Sequence, residues 1–379
     1  MTNGNPFEYQ RIVEGRTFIN REEELKILTQ AMHQRENILL YSPRRLGKSS
    51  LLKQASATIK EKNLVIIYID LWECLSEKEI AEKIATEVLT TLCTTLEKIT
   101  TELKELVTSA RPVITVESEG FGIRFDFIEK DKTLRETLAM IQTLAARRDK
   151  SVVLILDESQ VIAEIEDHRI EKIFRSVIQR QDRVSYIFSG SKQHILKAMI
   201  SLKTRPFYRQ LRPMTLGPIS KDAFRPYIQE GFSRLGGITD DSIDEIFHYT
   251  QGNPQRTQQL CHFLYTAVSD GKKLSPQLVK DIMTDLCRLL DKEFQDELDV
   301  IKNTRQRKIL KALAMDESQG PFSAGFLKEH SLGALTSVQT ALKGLVEKGV
   351  LDEQYRFVDP LMKTWLQFRQ HEDIFRKHK

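Results

Sequence analysis

Five short apolar runs recur through the first 220 residues with helical patterns between them, and this alternation admits few folds. The runs are 37–41 (NILLY), 64–70 (LVIIYID), 152–156 (VVLIL), 184–189 (VSYIFS) and 212–216 (RPMTL). Their near-continuous hydrophobicity and β-branched content suit strands covered on both faces. Strands separated by helical stretches predict an α/β fold with a parallel sheet.

The pattern changes twice more. Between the second and third runs, helical stretches around 77–107 lead into VITVESEGFGIRFDF at 113–127, where Phe121, Ile123, Phe125 and Phe127 alternate with polar neighbours after Gly120 and Gly122. That spacing predicts an appended β-hairpin. From Ser220 to about Val300 the periodicity is entirely helical, punctuated by Pro218, Gly236-Gly237 and Gly252-Asn253-Pro254. The last segment predicts helices at 304–315, near 323–330 and near 336–348, then short strands at 350–351 and 355–358, the order of a winged helix-turn-helix. The expected organisation is a core at 1–219 with an insertion at about 77–130, an all-α lid at 220–300 and a winged helix-turn-helix at 301–379.

The stretch YSPRRLGKSS at 41–50 stands between the first strand and a segment with Leu51, Leu52, Ala55 and Ile59 at helical spacing. It ends like a phosphate-binding loop, although Ser42 takes the place of the first glycine of G-x-x-x-x-G-K-[ST]. A helix N-terminus after a strand presents free backbone N–H groups to phosphate oxygens. The candidate nucleotide-binding set is Ser42, Pro43, Arg44, Arg45, Leu46, Gly47, Lys48, Ser49 and Ser50. Gly47 permits close approach, Lys48 reaches the β- and γ-phosphates, and Ser49 ligates Mg2+. On the loop alone, a basic turn with a helix cap would be a fair alternative.

A second motif weighs against that alternative. SVVLILDESQ ends a strand in Asp157 and Glu158, at the carboxyl edge where α/β sheets bind ligands. Asp157 suits the Mg2+, and Glu158 suits the catalytic task of orienting the attacking water. The fourth run ends in Ser189-Gly190-Ser191, so Ser189 or Ser191 could hydrogen-bond to the γ-phosphate. Arg209 and Arg256 are candidates to supply transition-state charge or to couple the helical unit to nucleotide. Arg44 and Arg45 would face a phosphate, a neighbouring subunit or an acidic partner.

Composition limits the partners. The 379 residues exceed one ordinary domain, and 40% hydrophobic with 29% charged residues describes a globular chain. No apolar run approaches the roughly 18 residues of a spanning helix, and MTNGNPFEYQ lacks a signal-peptide core, so a cytoplasmic protein without membrane contact is expected. Cys74, Cys93, Cys261 and Cys287 form no C-x-x-C pair, which predicts reduced, mostly buried thiols. Residues 301–379 hold 14 Lys/Arg against 9 Asp/Glu, a net +5, leaving 43 against 44 in residues 1–300. Attraction to a polyanion should therefore lie at the C-terminal end, including the tail FRKHK.

An ordered series of boxes resembles the archaeal and bacterial ATPases of the STAND/AAA+ type, relatives of archaeal replication-initiator ATPases. It begins in NPFEYQRIVEGRTFINREEEL, where Phe18, Arg21 and Glu22 to Leu25 match F-x-x-R-E-x-E-L. It continues through SPRRLGKSSLL, YIDLWEC, LDESQ, FRSVIQ, YIFSGS, FYR, GNP and FVDPLMKTWL. The resemblance implies a P-loop NTPase with sheet order 5-1-4-3-2, a helical lid, a C-terminal winged helix and an N-terminal box near the adenine. It carries the ATPase roles onto Lys48, Ser49, Asp157 and Glu158, and the sensor role onto Ser189 to Ser191, with ATP or ADP and Mg2+ as cofactors. Ser42 is tolerated in such loops. Many relatives lack an arginine two residues after GNP, the place of Arg256.

Two functions fit. One is a slow or partner-stimulated ATPase switch of the signalling or defence type, acting through a protein partner or a homo-oligomer. The other is an AAA+ ATPase, an initiator, loader or transposition regulator, that holds double-stranded DNA through the winged helix. The candidate recognition helix TSVQTALKGLVEK offers Thr336, Ser337, Gln339, Thr340, Lys343 and Lys348, opposed by Glu347 and without an arginine, which leans toward the switch.

Overall fold

The computed structural model describes residues 4–11, 15, 18–93, 95–117, 120–127, 130–165, 168–316 and 318–377. Part of the N-terminal box, the hairpin tip and the last two residues of FRKHK lie outside them. The chain divides into two compact units. One comprises Arg21–Ser42 and Lys48–Leu216, and the other Met1–Asn20, Pro43–Gly47 and Gly217–Lys379.

The first unit carries the sheet. Helix α1 (Glu22–Gln34) precedes β1 (Ile38–Tyr41), α2 (Lys48–Thr58) and β2 (Leu64–Asp70). The insertion follows as α3 (Glu77–Leu92), α4 (Leu96–Leu106), β3 (Ala110–Glu117) and β4 (Gly120–Phe127). Then come α5 (Lys130–Arg147), β5 (Ser151–Asp157), α6 (Gln160–Glu164), α7 (Arg169–Ile178), β6 (Val184–Gly190), α8 (Gln193–Ser201) and β7 (Arg212–Thr215). The sheet runs β2-β5-β6-β1-β7 with every pair parallel, which is the expected 5-1-4-3-2 when its strands are numbered among themselves. All five apolar runs are strands, and the hairpin begins three residues earlier than its phenylalanine spacing suggested. Helix α2 stops at Thr58, so Ile59 falls beyond the stripe it was expected to extend.

Burial explains why the central strands are the least polar. All seven residues of β6 are buried, and Val152 to Leu156 of β5 have no exposed surface. Phe188 of β6 packs against Phe174, Tyr186 and Phe207 at centroid distances of 5.7, 6.0 and 5.2 Å. Fully burying such a side chain is worth about 1.5–3 kcal/mol, so this cluster fixes the strand that separates β1 from β5.

The second unit holds α9 (Lys221–Phe232), α10 (Asp240–Thr250), α11 (Pro254–Ser269), α12 (Pro276–Leu289), α13 (Asp291–Val300), α14 (Thr304–Met315), α15 (Ala324–Glu329), α16 (Leu335–Glu347) and α17 (Pro360–Lys377). The GNP box is a helix start. Asn253 accepts from Arg256 N at 3.1 Å as the cap of α11, and Pro254 occupies the first turn, where a missing N–H costs nothing. Phe7 enters this unit's core beside Tyr227, Phe232 and Tyr265. The wing consists of a single bridge, Leu351 to Phe357, where two short strands were expected. The Asp352 carboxylate takes the Gln354 and Arg356 backbone N–H groups at 2.8 and 2.9 Å, closing the turn between them within too few residues for a longer ladder. The four cysteines are free and buried, and no helix among the described residues is long and apolar enough to cross a membrane.

Candidate nucleotide site

Register brings the carboxyl ends of four adjacent strands, β2, β5, β6 and β1, together. Tyr41 pairs with Gly190, Leu40 with Ser189, and Asp70 with Asp157. The chain leaves β1 at Ser42, whose N–H donates to Gly190 O at 3.4 Å, and re-enters regular structure at Lys48, the first residue of α2. The Lys48 ammonium is buried and donates to Ser42 O at 2.9 Å, closing the loop across its own base.

The loop's backbone explains its unusual sequence. Left-handed conformations fall at Arg45 (φ 69°) and Gly47 (φ 87°), not at Ser42. Glycine is the residue that meets a positive φ without steric cost. Ser42 instead sits fully buried in an ordinary conformation, so the missing glycine is not missed. Gly47 has open space around the position a Cβ would take, and its requirement is conformational.

Ser49 in the first turn of α2 donates its hydroxyl to Asp157 Oδ2 at 3.2 Å. The other oxygen, Oδ1, accepts the Glu158 backbone N–H at 3.0 Å. Tyr68 of β2 also donates to Asp157 Oδ2. Burial, followed by the neighbouring Asp157 charge, pushes the Tyr68 phenol far above its ordinary range, so it stays a donor. Sequence reading passed over Tyr68 because it took LVIIYID as a buried strand. A phenol two positions before that strand's terminal Asp70, on the strand that pairs with β5, was the available signal.

Glu158 follows with φ 50°, a left-handed conformation for a non-glycine residue. Ser191 donates to its Oε2 at 3.2 Å and Gln160 to the same oxygen at 2.5 Å. Gln160 stands in the LDESQ box without an expected role. Its other amide atom, Oε1, is buried with no hydrogen-bond partner, and it lies 2.2 Å from where a Cβ on Gly190 would be. A side chain at that strand end would displace it. Ser189 Oγ is likewise buried and without a hydrogen-bond partner, while Ser189 O accepts both the backbone N–H and the hydroxyl of Ser159. Within the first unit, therefore, Ser42, Lys48, Ser49, Asp157, Glu158, Ser189 and Ser191 share one edge of the sheet.

The arginines have partners of their own. Arg209 is exposed, with φ 55° and its guanidinium 5.1 Å from the Tyr208 ring. Arg256, in the second unit, is buried, and its Nε lies 3.1 and 3.0 Å from the two Asp359 oxygens. Arg45, which groups with the same unit, meets Asp359 and Glu293 at 2.6 Å each. On α16, Thr336, Gln339, Thr340 and Lys343 are exposed and Ser337 is half-buried, while Lys348, just past its end, donates to Gln306 Oε1 at 2.7 Å.

A parallel sheet in this order, with a phosphate-type loop after β1 and paired carboxylates ending β5, defines a P-loop NTPase. The chain belongs to the family described as an ATPase domain predominantly from Archaea, whose model matches residues 18–260. A second model, described as a "Probable winged helix domain", matches residues 292–368. No curated protein matches the chain. Among solved structures it is similar to the Walker-type ATPase of Pyrococcus abyssi, with TM-score 0.63, 18% identity and coverage of 96% of this chain and 99% of that one. It is also similar to the ORC2 protein of Aeropyrum pernix in its ADPNP-ADP complexes, with TM-score 0.57, 13% identity and 98% of each chain covered. At these identities the likeness is one of fold.

Proposed function

We propose that this chain binds and hydrolyses ATP with Mg2+ and works as a nucleotide-driven switch, coupling its nucleotide state to rearrangement of the helical and winged-helix segments and to a protein partner or a second copy. The observation that carries this reading is the meeting of Ser49 with Asp157 beside Glu158. A hydroxyl and a carboxylate oxygen 3.2 Å apart are the hard oxygen donors Mg2+ takes, so these residues fit the ion, which when bound would neutralise charge on the phosphates. Backbone N–H groups at the start of α2 and the Lys48 ammonium would hold the phosphates. Glu158, steadied by Ser191 and Gln160, would orient the attacking water and accept its proton. Ser189 or Ser191 would sense the γ-phosphate. Arg209 and Arg256 remain candidates to respond to it.

The test is a pair of substitutions read by ATP binding and phosphate release. Lys48→Ala should abolish ATP binding, whereas Glu158→Gln should retain ATP and slow hydrolysis by about 100-fold or more. Unchanged affinity and rate in Lys48→Ala would refute the reading.

The second reading is an ATPase acting on double-stranded DNA. It draws on the exposed polar face of α16 and the +5 balance of residues 301–379. Duplex binding measured at two salt concentrations, with and without ATP, decides it, because contacts to phosphates weaken steeply with salt. No binding at low salt removes it.

A further inference from the structure

Arg45 and Arg256 were singled out as cations for phosphate, yet both are held by carboxylates, and one carboxylate holds both. Asp359 Oδ2 lies 2.6 Å from Arg45 Nη1 and 2.5 Å from Arg256 Nη2. Its Oδ1 accepts the Leu361 N–H at 3.1 Å, at the start of α17, where a helix N-terminus favours negative charge. Glu293 adds 2.6 Å to Arg45 and 3.4 Å to Arg256.

The two arginines are not held alike. Arg256 is 3% exposed and also donates to Gln259 Oε1 at 2.7 Å, with its guanidinium 5.5 Å from the Phe294 ring centre. It is the more firmly anchored member of the cluster. Arg45 is 35% exposed, bound only at the tip of its side chain, and sits in the left-handed backbone conformation that L-residues avoid. It is the member that can leave. The acids also crowd one another: burial first, and then the charge of Asp359, raises the Glu297 carboxyl above its ordinary range.

We propose that Asp359 is a positioning residue for the phosphate loop: with Glu293 it engages the Arg45 guanidinium in competition with nucleotide phosphates, so that phosphate binding releases Arg45 from the start of α17. This rests on the nucleotide reading above and names how that site is regulated. The expected partner of the Arg44-Arg45 pair is thus, for Arg45, an acidic cluster in the same chain.

The experiment measures ATP affinity by calorimetry on the full chain. Asp359→Asn keeps the side-chain oxygen that caps α17 and removes the charge, and should tighten ATP binding about two- to fivefold, the range for a partly exposed ion pair. Glu293→Gln, on a half-exposed side chain that threatens the fold less, should shift affinity in the same direction. Asp359→Glu should restore the wild-type value. In an Arg45→Ala background, Asp359→Asn should have no further effect. Unchanged or weaker ATP binding in both charge-removing variants, or a gain that persists without Arg45, would overturn the proposal. Lys48→Ala run alongside separates the two readings. If wild type binds ATP and Lys48→Ala does not, a null result at Asp359 sinks only this inference; if wild type does not bind ATP, both fall.

Discussion

The Ser49 hydroxyl donates to Asp157 Oδ2 at 3.2 Å, joining residues 108 positions apart in the chain. The same oxygen takes the Tyr68 phenol, so Asp157 is oriented by a side chain of the adjacent strand β2. Groups that orient a metal ligand commonly set metal affinity by about 10- to 100-fold. Tyr68→Phe should therefore raise the Mg2+ concentration for half-maximal ATPase activity about tenfold, while leaving ATP binding in EDTA unchanged. Equal Mg2+ dependence in the two proteins would deny Tyr68 this role.

Ser42 and Gly47 should respond differently to exchange. Ser42 has no left-handed backbone to relieve, so Ser42→Gly should keep the ATP dissociation constant and lower stability by only about 0.5–1 kcal/mol through the freer unfolded chain. Gly47→Ala places a Cβ at φ 87°, which costs about 1–2 kcal/mol and distorts the loop between Arg45 and Lys48. Urea denaturation and ATP titration of the pair would show whether the loop's geometry, rather than its consensus, governs binding.

Phe188 offers the sharpest test of the sheet. It has no exposed surface, contacts three aromatic rings and immediately precedes Ser189. Phe188→Ala should cost about 3–5 kcal/mol, because the flanking β5 and β1 prevent the site from collapsing onto the void. Denaturant unfolding monitored by circular dichroism reads the loss directly, and a cost below about 1 kcal/mol would mean that this packing is wrong.

Much of this was legible in the chain, for reasons that differ by element. The five sheet strands are apolar throughout because both faces are covered, and such runs stand out from helical periodicity. Their spatial order is not written in periodicity and came from the resemblance of the ordered boxes. Lys48, Ser49, Asp157 and Glu158 were readable because each follows a strand end, where side chains of distant segments converge. Tyr68 escaped since its role depends on the β2–β5 register, which pairs Asp70 with Asp157. Asp359 escaped for a similar reason: FVDP reads as a helix start, and nothing local indicates that its carboxylate meets arginines 103 and 314 positions away.

The pH dependence of the first unit should be set in part by His33, near the end of α1. Its Nδ1 lies 2.6 Å from Thr29 O and its Nε2 2.8 Å from Glu61 Oε1, two acceptors that only the doubly protonated imidazolium can satisfy together. The Thr29 carbonyl chiefly, with help from Glu61 and against a modest desolvation, raises the folded pKa above its ordinary 6.5. A raised pKa means that the folded state binds the proton more tightly than the unfolded chain does. The stabilisation is then fully present below about pH 6.5 and is lost as pH rises through the folded value. Wild type should lose stability relative to His33→Gln between about pH 6 and 8, and added salt should shrink the Glu61 share of that difference. Parallel urea denaturation at the two pH values measures the slope; if the two proteins keep a constant difference, His33 does not carry the proton this geometry calls for.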